Sequence, residues 1–263
     1  MNIEQQRYKV KSTTGVSAVL ITLNAERYLE QILGKIHKLC DEIVVVDCGS
    51  TDRTAEICSR YNVKFIFQEW LGYGPQKNKA HEWAKGPYIL SLDADEIPDD
   101  RLIDALKNEF DKGLQGAYRI NRLPFWCGRP VRHSGWYPDW KIRLFPKDSA
   151  RWSEDPVHEV LILTSDLPIR DLNGFLHHYS YHSIKEHKAK TRRYANLAAQ
   201  KLQQLSRITL ITSMLFKPLY KFIRHYFYKI GFMDGWAGFY IAQITAWGTY
   251  LKFKKALHLK EGR

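Results

Sequence analysis

Tyr88-Ile89-Leu90-Ser91-Leu92-Asp93-Ala94-Asp95-Glu96 is an apolar run that ends in two carboxylates one residue apart. Alternate residues of an extended chain face the same side, so Asp93 and Asp95 are expected to point together at the end of a strand. Hard cations such as Mg²⁺ and Mn²⁺ take oxygen ligands and commonly bind through one or two carboxylates plus the phosphates of a substrate. Such a pair also occurs in ordinary solvated turns, because charged side chains mostly sit on the surface. The flanking segments decide between these readings.

Upstream, strands alternate with helices. Residues 16–23 (VSAVLITL) read as a buried strand. Asn24 is expected to cap a helix from about Glu26 that carries Leu29, Ile32, Leu33, Ile36 and Leu39 on one face. Further strands are expected at 42–47, 63–67 and 88–92, and helices at 51–61, 75–85 and, after Pro98, 99–111. This alternation with short connections implies the α/β class, with a mostly parallel sheet and helices on both faces. Ligands of such sheets sit at the carboxyl ends of the strands, where Asn24, Asp47 and Asp93 all fall. The regularity weakens between Gly113 and Phe175, where strands are expected at 117–122 and 141–145 around an aromatic loop. From Ser183 the pattern turns helical, most clearly at 195–205.

The 263 residues are 44% hydrophobic and 26% charged, which excludes a disordered chain and leaves ample material for a core. The formal charge of +12 is placed unevenly: Leu176–Arg263 holds 16 Lys/Arg against 3 Asp/Glu, so the rest is close to neutral. That asymmetry implies two parts, a domain over 1–180 and a basic, aromatic helical region over 181–263. Cys40, Cys48, Cys58 and Cys127 have neither metal-ligand nor disulfide-framework spacing and fit reduced thiols of a cytoplasmic protein. The charged N-terminus lacks an apolar secretory core.

Several other segments carry candidate chemistry. In residues 47–52 (DCGSTD) the strand-end carboxylate of Asp47 suits a base or ribose; alternatively Ser50 or Thr51 caps a helix while Asp52 meets its dipole. Neither a dinucleotide-binding fingerprint nor a Walker A sequence is present. In residues 72–79 (GYGPQKNK), Lys77 and Asn78 are placed to reach a diphosphate or the first aspartate, or to line a solvated helix surface. Residues 153–159 (SEDPVHE) gather three carboxylates and an imidazole before an apolar run. A carboxylate there suits proton abstraction from an incoming hydroxyl, and His158 suits either a metal or a structural hydrogen bond. No H-E-x-x-H occurs, and the histidines of 177–182 lack acidic partners for zinc.

Taken together, VSAVLITLNAERYL, EIVVVDCGSTDRT, GYGPQKNKA and YILSLDADE, in this order, resemble inverting family 2 glycosyltransferases of the GT-A fold. The stretches RHSGWYPD (132–139), RLF (143–145) and VHE (157–159) resemble the lipopolysaccharide-core β-1,4-glucosyltransferase branch. The resemblance implies transfer of a sugar, glucose in that branch, from a UDP-linked donor to a core heptose or other lipid-linked glycan. It places Thr22, Leu23, Asn24, Glu26, Asp47 and Asp52 around the nucleotide, with Asp47 facing uracil. Lys77 and Asn78 would lie near the donor phosphates and Asp93 near the ribose and metal, while Asp95 would be the principal ligand of Mg²⁺ or Mn²⁺. Glu159 is the first choice of base and Asp155 the reserve. Arg132, His133, Trp136, Tyr137 and Asp139 would form an acceptor clamp.

Between Arg207 and Lys260, aromatic and aliphatic residues interleave with lysine and arginine. The longest uncharged run, Gly235–Leu251, is 17 residues, shorter than the roughly 20 that a spanning helix needs. Helices lying in the membrane interface are therefore expected, basic side toward anionic head groups and with Lys252, Lys254, Lys255 and Lys260 strengthening the attachment. This places the protein peripherally on the cytoplasmic face of the inner membrane; the alternative is that the helices only pack on the domain. The rival classes are a nucleic-acid-binding basic protein, against which no recognisable motif stands in the basic third, and a non-catalytic peripheral scaffold.

Overall fold

A computed structural model describes residues 15–155, 159–164 and 166–261. Two compact units emerge: the described residues up to Ile120 with Lys141–Phe175, and Asn121–Trp140 with Leu176 onward. This division lies near the charge boundary expected at residue 180, but it also assigns the aromatic loop to the basic part.

In the first unit, β1 (Val16–Thr22) pairs in parallel with β2 (Glu42–Asp47), and β2 in parallel with β3 (Lys64–Phe67). On the other side of β1 lies β4 (Tyr88–Asp93), also parallel. Val16, Ala18, Leu20, Val44, Val45, Val46, Ile89 and Leu90 are fully buried, as expected of strands covered on both faces. The helix α1 (Glu26–Ile36) buries Leu29, Ile32, Leu33 and Ile36, the expected face. Its cap residue is Ala25 rather than Asn24, whose side chain is engaged elsewhere. The helix α2 (Thr54–Ser59) begins later than expected, with no side-chain cap from Ser50 or Thr51, and is followed in sequence by β3 and α3 (Tyr73–Trp83).

The strand β5 (Glu96–Pro98) leads to α4 (Asp100–Lys112), whose N-cap Asp99 accepts from Leu102 N at 2.8 Å. After β6 (Ala117–Trp126) and the short β7 (Arg129–Pro130), the strand β8 (Asp139–Pro146) runs antiparallel to β4 with Leu90 opposite Leu144. The hairpin β9 (Ala150–Trp152) and β10 (Leu161–Leu163) precedes the long β11 (Ile169–Tyr181). Among the described residues the main sheet has nine strands in the order β3-β2-β1-β4-β8-β6-β11-β5, with β7 on β6. The expected α/β class with C-terminal helices is thus what the chain adopts, with an antiparallel β8 bounding the parallel strands.

The second unit holds α5 (Ile184–Leu202), α6 (Arg207–Ile223) and α7 (Trp236–Glu261), with α7 packed on the other two. Ser183 and Ser206 cap the first two of these helices. The uncharged run of α7 supplies core residues: Ala237, Ile241 and Ile244 cluster with Trp126 and Val131. Among the described residues no helix is long and apolar enough to cross a membrane.

Candidate active site

Strand register sets the site. Thr22 pairs with Asp47 across β1 and β2, and Ile21 with Asp93 across β1 and β4, so all three strands end at one level. Two of the loops that follow are stitched together. Asp47, buried, accepts from Thr22 Oγ1 at 2.7 Å, Gly49 N at 2.9 Å, Ser50 N at 2.7 Å and Ser50 Oγ at 2.6 Å. A carboxylate offers about four acceptor positions, so these four bonds give Asp47 a loop-shaping role. Asn24, at φ +52°, accepts from Thr51 N at 2.9 Å while its own N–H donates to Ser50 Oγ at 2.7 Å. Asp52 accepts from Glu26 N at 3.0 Å and from Thr54 N at 3.0 Å. Partial burial works against its ionisation, but these bonds and that of the Thr54 hydroxyl hold its pKa below the usual value. Leu23 is exposed between these tethered neighbours.

Beyond the third parallel strand end stands a network of opposite charges. Lys77, buried on α3, lies 2.8 Å from Asp93 Oδ1 and 3.2 Å from Glu159 Oε1. Arg143, buried on β8, donates through Nη2 to Asp93 Oδ2 at 2.6 Å and to Glu96 Oε1. Burial alone would weaken the arginine's charge, yet Asp93 and Glu96 together raise its pKa above the ordinary guanidinium value. Glu96 is fully buried and accepts from Asp93 N at 3.2 Å, which closes the turn around Ala94 and Asp95. Asp93 therefore has a cation on each oxygen, and Asp95 sits half-buried two residues beyond it.

Trp152 organises the protein side of this network. The Lys77 ammonium lies 4.3 Å from the centre of its ring and the Arg143 guanidinium 5.9 Å. Its indole N–H donates to His81 Nε2 at 3.3 Å, and burial followed by nearby Lys77 and Lys147 lowers that imidazole's pKa to about 4. Asn78 grips the Trp152 backbone from both ends, donating to its O at 2.9 Å and accepting from its N at 2.8 Å. These two hydrogen bonds tie α3 to β9. Gly74 makes the approach possible: a Cβ there would stand 1.7 Å from Ser153 O.

The structure thus joins Lys77, Asp93 and Glu159, while Asp155 is exposed and His158 lies outside the described residues. Arg143, Glu96, Trp152 and His81 were not singled out from sequence as site residues. Glu96 adjoins the aspartate pair and Arg143 opens the RLF stretch, so both signals were present. The acceptor candidates belong to the second unit. There Asp234 accepts from the backbone N–H of Arg132 and His133, at 3.0 and 3.1 Å, and from Ser134 Oγ at 2.9 Å. His133 Nδ1 is 3.0 Å from the same carboxylate, and Asp139 is paired with Arg122 at 2.8 Å. Tyr137 accepts from Asn121, and Trp136 joins the aromatic cluster around Trp126 and Tyr181, while Arg132 is exposed.

Among the described residues no three His, Cys, Asp or Glu side chains gather into a complete cation cage. The donor chemistry at the end of β4 is carboxylate oxygen, which suits a hard cation that completes its shell with phosphate oxygens and water. The Asp93 oxygens are held by Lys77 and Arg143, and Asp95 supplies the second carboxylate of the pair.

The chain matches the profile of Glycosyl transferase family 2 over residues 17–160. An uncharacterised glycosyltransferase of Rickettsia typhi is 28% identical over 258 residues, covering 93% of this chain and 87% of that one. LpsC of Rhizobium meliloti, a lipopolysaccharide core biosynthesis glycosyltransferase, is 28% identical over 251 residues, with 91% of each chain covered. In structure, TarS 1–349 of S. aureus aligns over 94% of this chain and 92% of that one at 14% identity and a TM-score of 0.40. Glucosyl-3-phosphoglycerate synthase of Mycobacterium tuberculosis, solved with Mn²⁺, UDP-glucose and phosphoglyceric acid, aligns over 42% of this chain and 43% of that one, at 22% identity and a TM-score of 0.34. Scores of that size carry no inference about this chain. The profile covers more than half the chain and takes in the stitched loops, the Lys77–Asp93–Glu159 cluster and Trp152: the chain belongs to glycosyl transferase family 2 and is a glycosyltransferase that draws on a nucleotide-sugar donor.

Proposed function

We propose that the enzyme moves glucose from UDP-glucose, with inversion, to a hydroxyl of a lipopolysaccharide-core or other lipid-linked glycan at the cytoplasmic face of the inner membrane. The acceptor class follows the similarity to LpsC along most of both chains. The observation that carries the chemistry is Lys77, which bridges Asp93 at the end of β4 to Glu159.

The tethered β1–α1 and β2–α2 loops hold the nucleoside side of the donor site in one shape before substrate arrives. Lys77 supplies positive charge where the diphosphate gains negative charge, and the Trp152 ring beneath it limits its freedom. Asp95 would hold a divalent cation, Mg²⁺ or Mn²⁺, which when bound would supply Lewis-acid neutralisation of the leaving group. Glu159 takes the proton of the acceptor hydroxyl as its oxygen bonds to the anomeric carbon. The bond from that carbon to the diphosphate oxygen breaks, and its electron pair leaves with UDP. One displacement inverts the configuration without a covalent enzyme intermediate, so no second nucleophile is needed. Arg132, exposed in the second unit, would pair with a core phosphate.

A panel of nucleotide sugars with Mn²⁺ should single out UDP-glucose by the largest rise in Tm, since a bound donor stabilises the fold by mass action. Asp95→Ala should reduce transfer from UDP-glucose by about 10³-fold or more with the fold intact. Transfer near the wild-type rate in that variant would remove Asp95 from the site.

A further inference from the structure

The helix α6 turns one side inward, where Leu210 and Met214 meet Ala199, Phe253 and Ala256. Its other side is apolar and exposed: Ile208, Leu215, Leu219 and Ile223 recur at seven- and four-residue spacings, with Phe216 and Tyr220 beside them. Phe216 is 69% exposed and Tyr220 61%. The same surface chemistry continues past the helix through Phe227, Tyr228 (79% exposed), Phe232 and Met233. Scattered exposed apolar residues are ordinary, but a continuous set of this kind marks an interaction surface.

Charge identifies what covers it. Lys229 stands among these exposed rings, 5.9 Å from that of Tyr228, whereas Lys217 and Lys221 fall on the inner flank with Leu210 and Met214, Lys217 4.9 Å from the Phe253 ring. Between Arg207 and Lys260 the sequence holds nine Lys/Arg against a single acid, Asp234. That acid is withdrawn from the surface: its side chain is 4% exposed and bound to His133. A second copy of this unit would bring the same positive charge against itself, whereas an anionic bilayer presents the opposite charge over an apolar interior.

We infer that the outward face of α6, extended by residues 227–233, is the surface by which the protein lies on an anionic lipid bilayer. Leu215, Phe216, Leu219 and Ile223 enter the boundary between head groups and acyl chains, while Lys229 and the net positive charge of the unit meet the phosphates. This deepens the proposed transfer to a lipid-linked acceptor and rests on that reading for its purpose. It narrows the attachment expected over residues 207–260 to α6 and the segment that follows it.

The test is co-sedimentation of the full chain with phosphatidylglycerol-rich vesicles and with phosphatidylcholine vesicles, without substrates. Wild type should pellet with the anionic vesicles, and added salt should release much of it. Phe216→Ser with Leu219→Ser should lower partitioning about tenfold or more while the circular dichroism spectrum and UDP-glucose hydrolysis are kept. Lys229→Gln should weaken binding to anionic vesicles and flatten its salt dependence. Ile162→Ser, an exposed apolar change in the first unit, should leave binding unchanged. Asp95→Ala should bind vesicles like wild type, so a failed catalytic reading and a failed docking surface give different results. The proposal is overturned if wild type stays in the supernatant or if the serine pair pellets undiminished. It is equally overturned if sedimentation equilibrium shows a wild-type dimer that the serine pair dissolves, because a second copy would then cover the face.

Discussion

The two units contain the same buried bond in opposite surroundings. In the first, Trp152 Nε1 donates to His81 Nε2, and two cations, Lys77 and Arg143, lie over the indole ring. In the second, Trp126 Nε1 donates to His187 Nδ1 at 3.1 Å, and the neighbours are rings: Trp236 and Tyr240 against Trp126, and Trp136 and Tyr181 against His187. Both imidazoles must be neutral to accept that hydrogen. In the first unit the bond fixes a tryptophan that serves as a platform for charge. In the second it satisfies the polar atoms of an otherwise apolar cluster. The difference separates a unit built to do electrostatic work from one built to hold its helices together.

The sharpest way to break the comparison is to remove the chemistry from the first unit while leaving its packing. Glu159→Gln keeps the shape of the side chain but cannot accept the acceptor's proton, so kcat should fall by about 10²–10⁴-fold with KM for the donor little changed. Near wild-type turnover would shift the base to Asp155, which is exposed. The next effect in size is on stability. Arg143→Met removes the guanidinium that Asp93 and the fully buried Glu96 share, and breaking such a buried pair costs about 3–5 kcal/mol. Urea unfolding measures it. A loss below about 1 kcal/mol would mean that the carboxylates reach water or another cation, and the network would then be less closed than its geometry implies.

Much of the first unit was legible in the sequence because its signals are local. Buried parallel strands are continuous apolar runs, and each strand end carries its polar residue at the position where the register later brings Thr22, Asp47 and Asp93 level. What the sequence concealed was the use to which those side chains are put. Asp47 and Asn78 have the right chemistry for a ligand, yet one spends its oxygens on its own loop and the other grips a backbone 74 residues away. Trp152 lies in a three-residue strand, too short to show a period, and its partners come from α3 and β8. The hairpin joining β6 and β7 turns through Cys127 and Gly128, both at positive φ, without the Asn-Gly or Asp-Gly pair that announces such turns. In β11, Asn173 and Gly174 interrupt a strand whose Leu172 and Leu176 are buried, and the glycine is there because Leu102 backbone packs where a Cβ would stand. In the tail, hydrophobicity was visible but not its direction: α6 and α7 are both apolar, and only packing reveals that α7 faces inward while α6 keeps an apolar side outward.

The smallest effect is also the one that tests both units together. Burial lowers the pKa of His81 to about 4, with Lys77 and Lys147 adding to the shift, and burial followed by Lys190 lowers His187 to about 4. In the unfolded chain each imidazole takes its proton near pH 6.5. Between those values the unfolded state therefore binds more protons than the folded one, and stability falls as the pH drops from about 6.5 toward 4. At pH 5 each histidine should cost about 2 kcal/mol relative to pH 7.5, and the carboxylates contribute little in that window because they titrate lower. If the units unfold separately, two transitions in urea should each move by that amount. His81→Gln should then flatten the acid dependence of the first transition alone, and His187→Gln that of the second. A stability that stays level from pH 7.5 to 5 would mean that both rings protonate in place, which neither indole N–H could tolerate as a donor. The contrast between the units would then lie only in their neighbours and not in a shared buried bond.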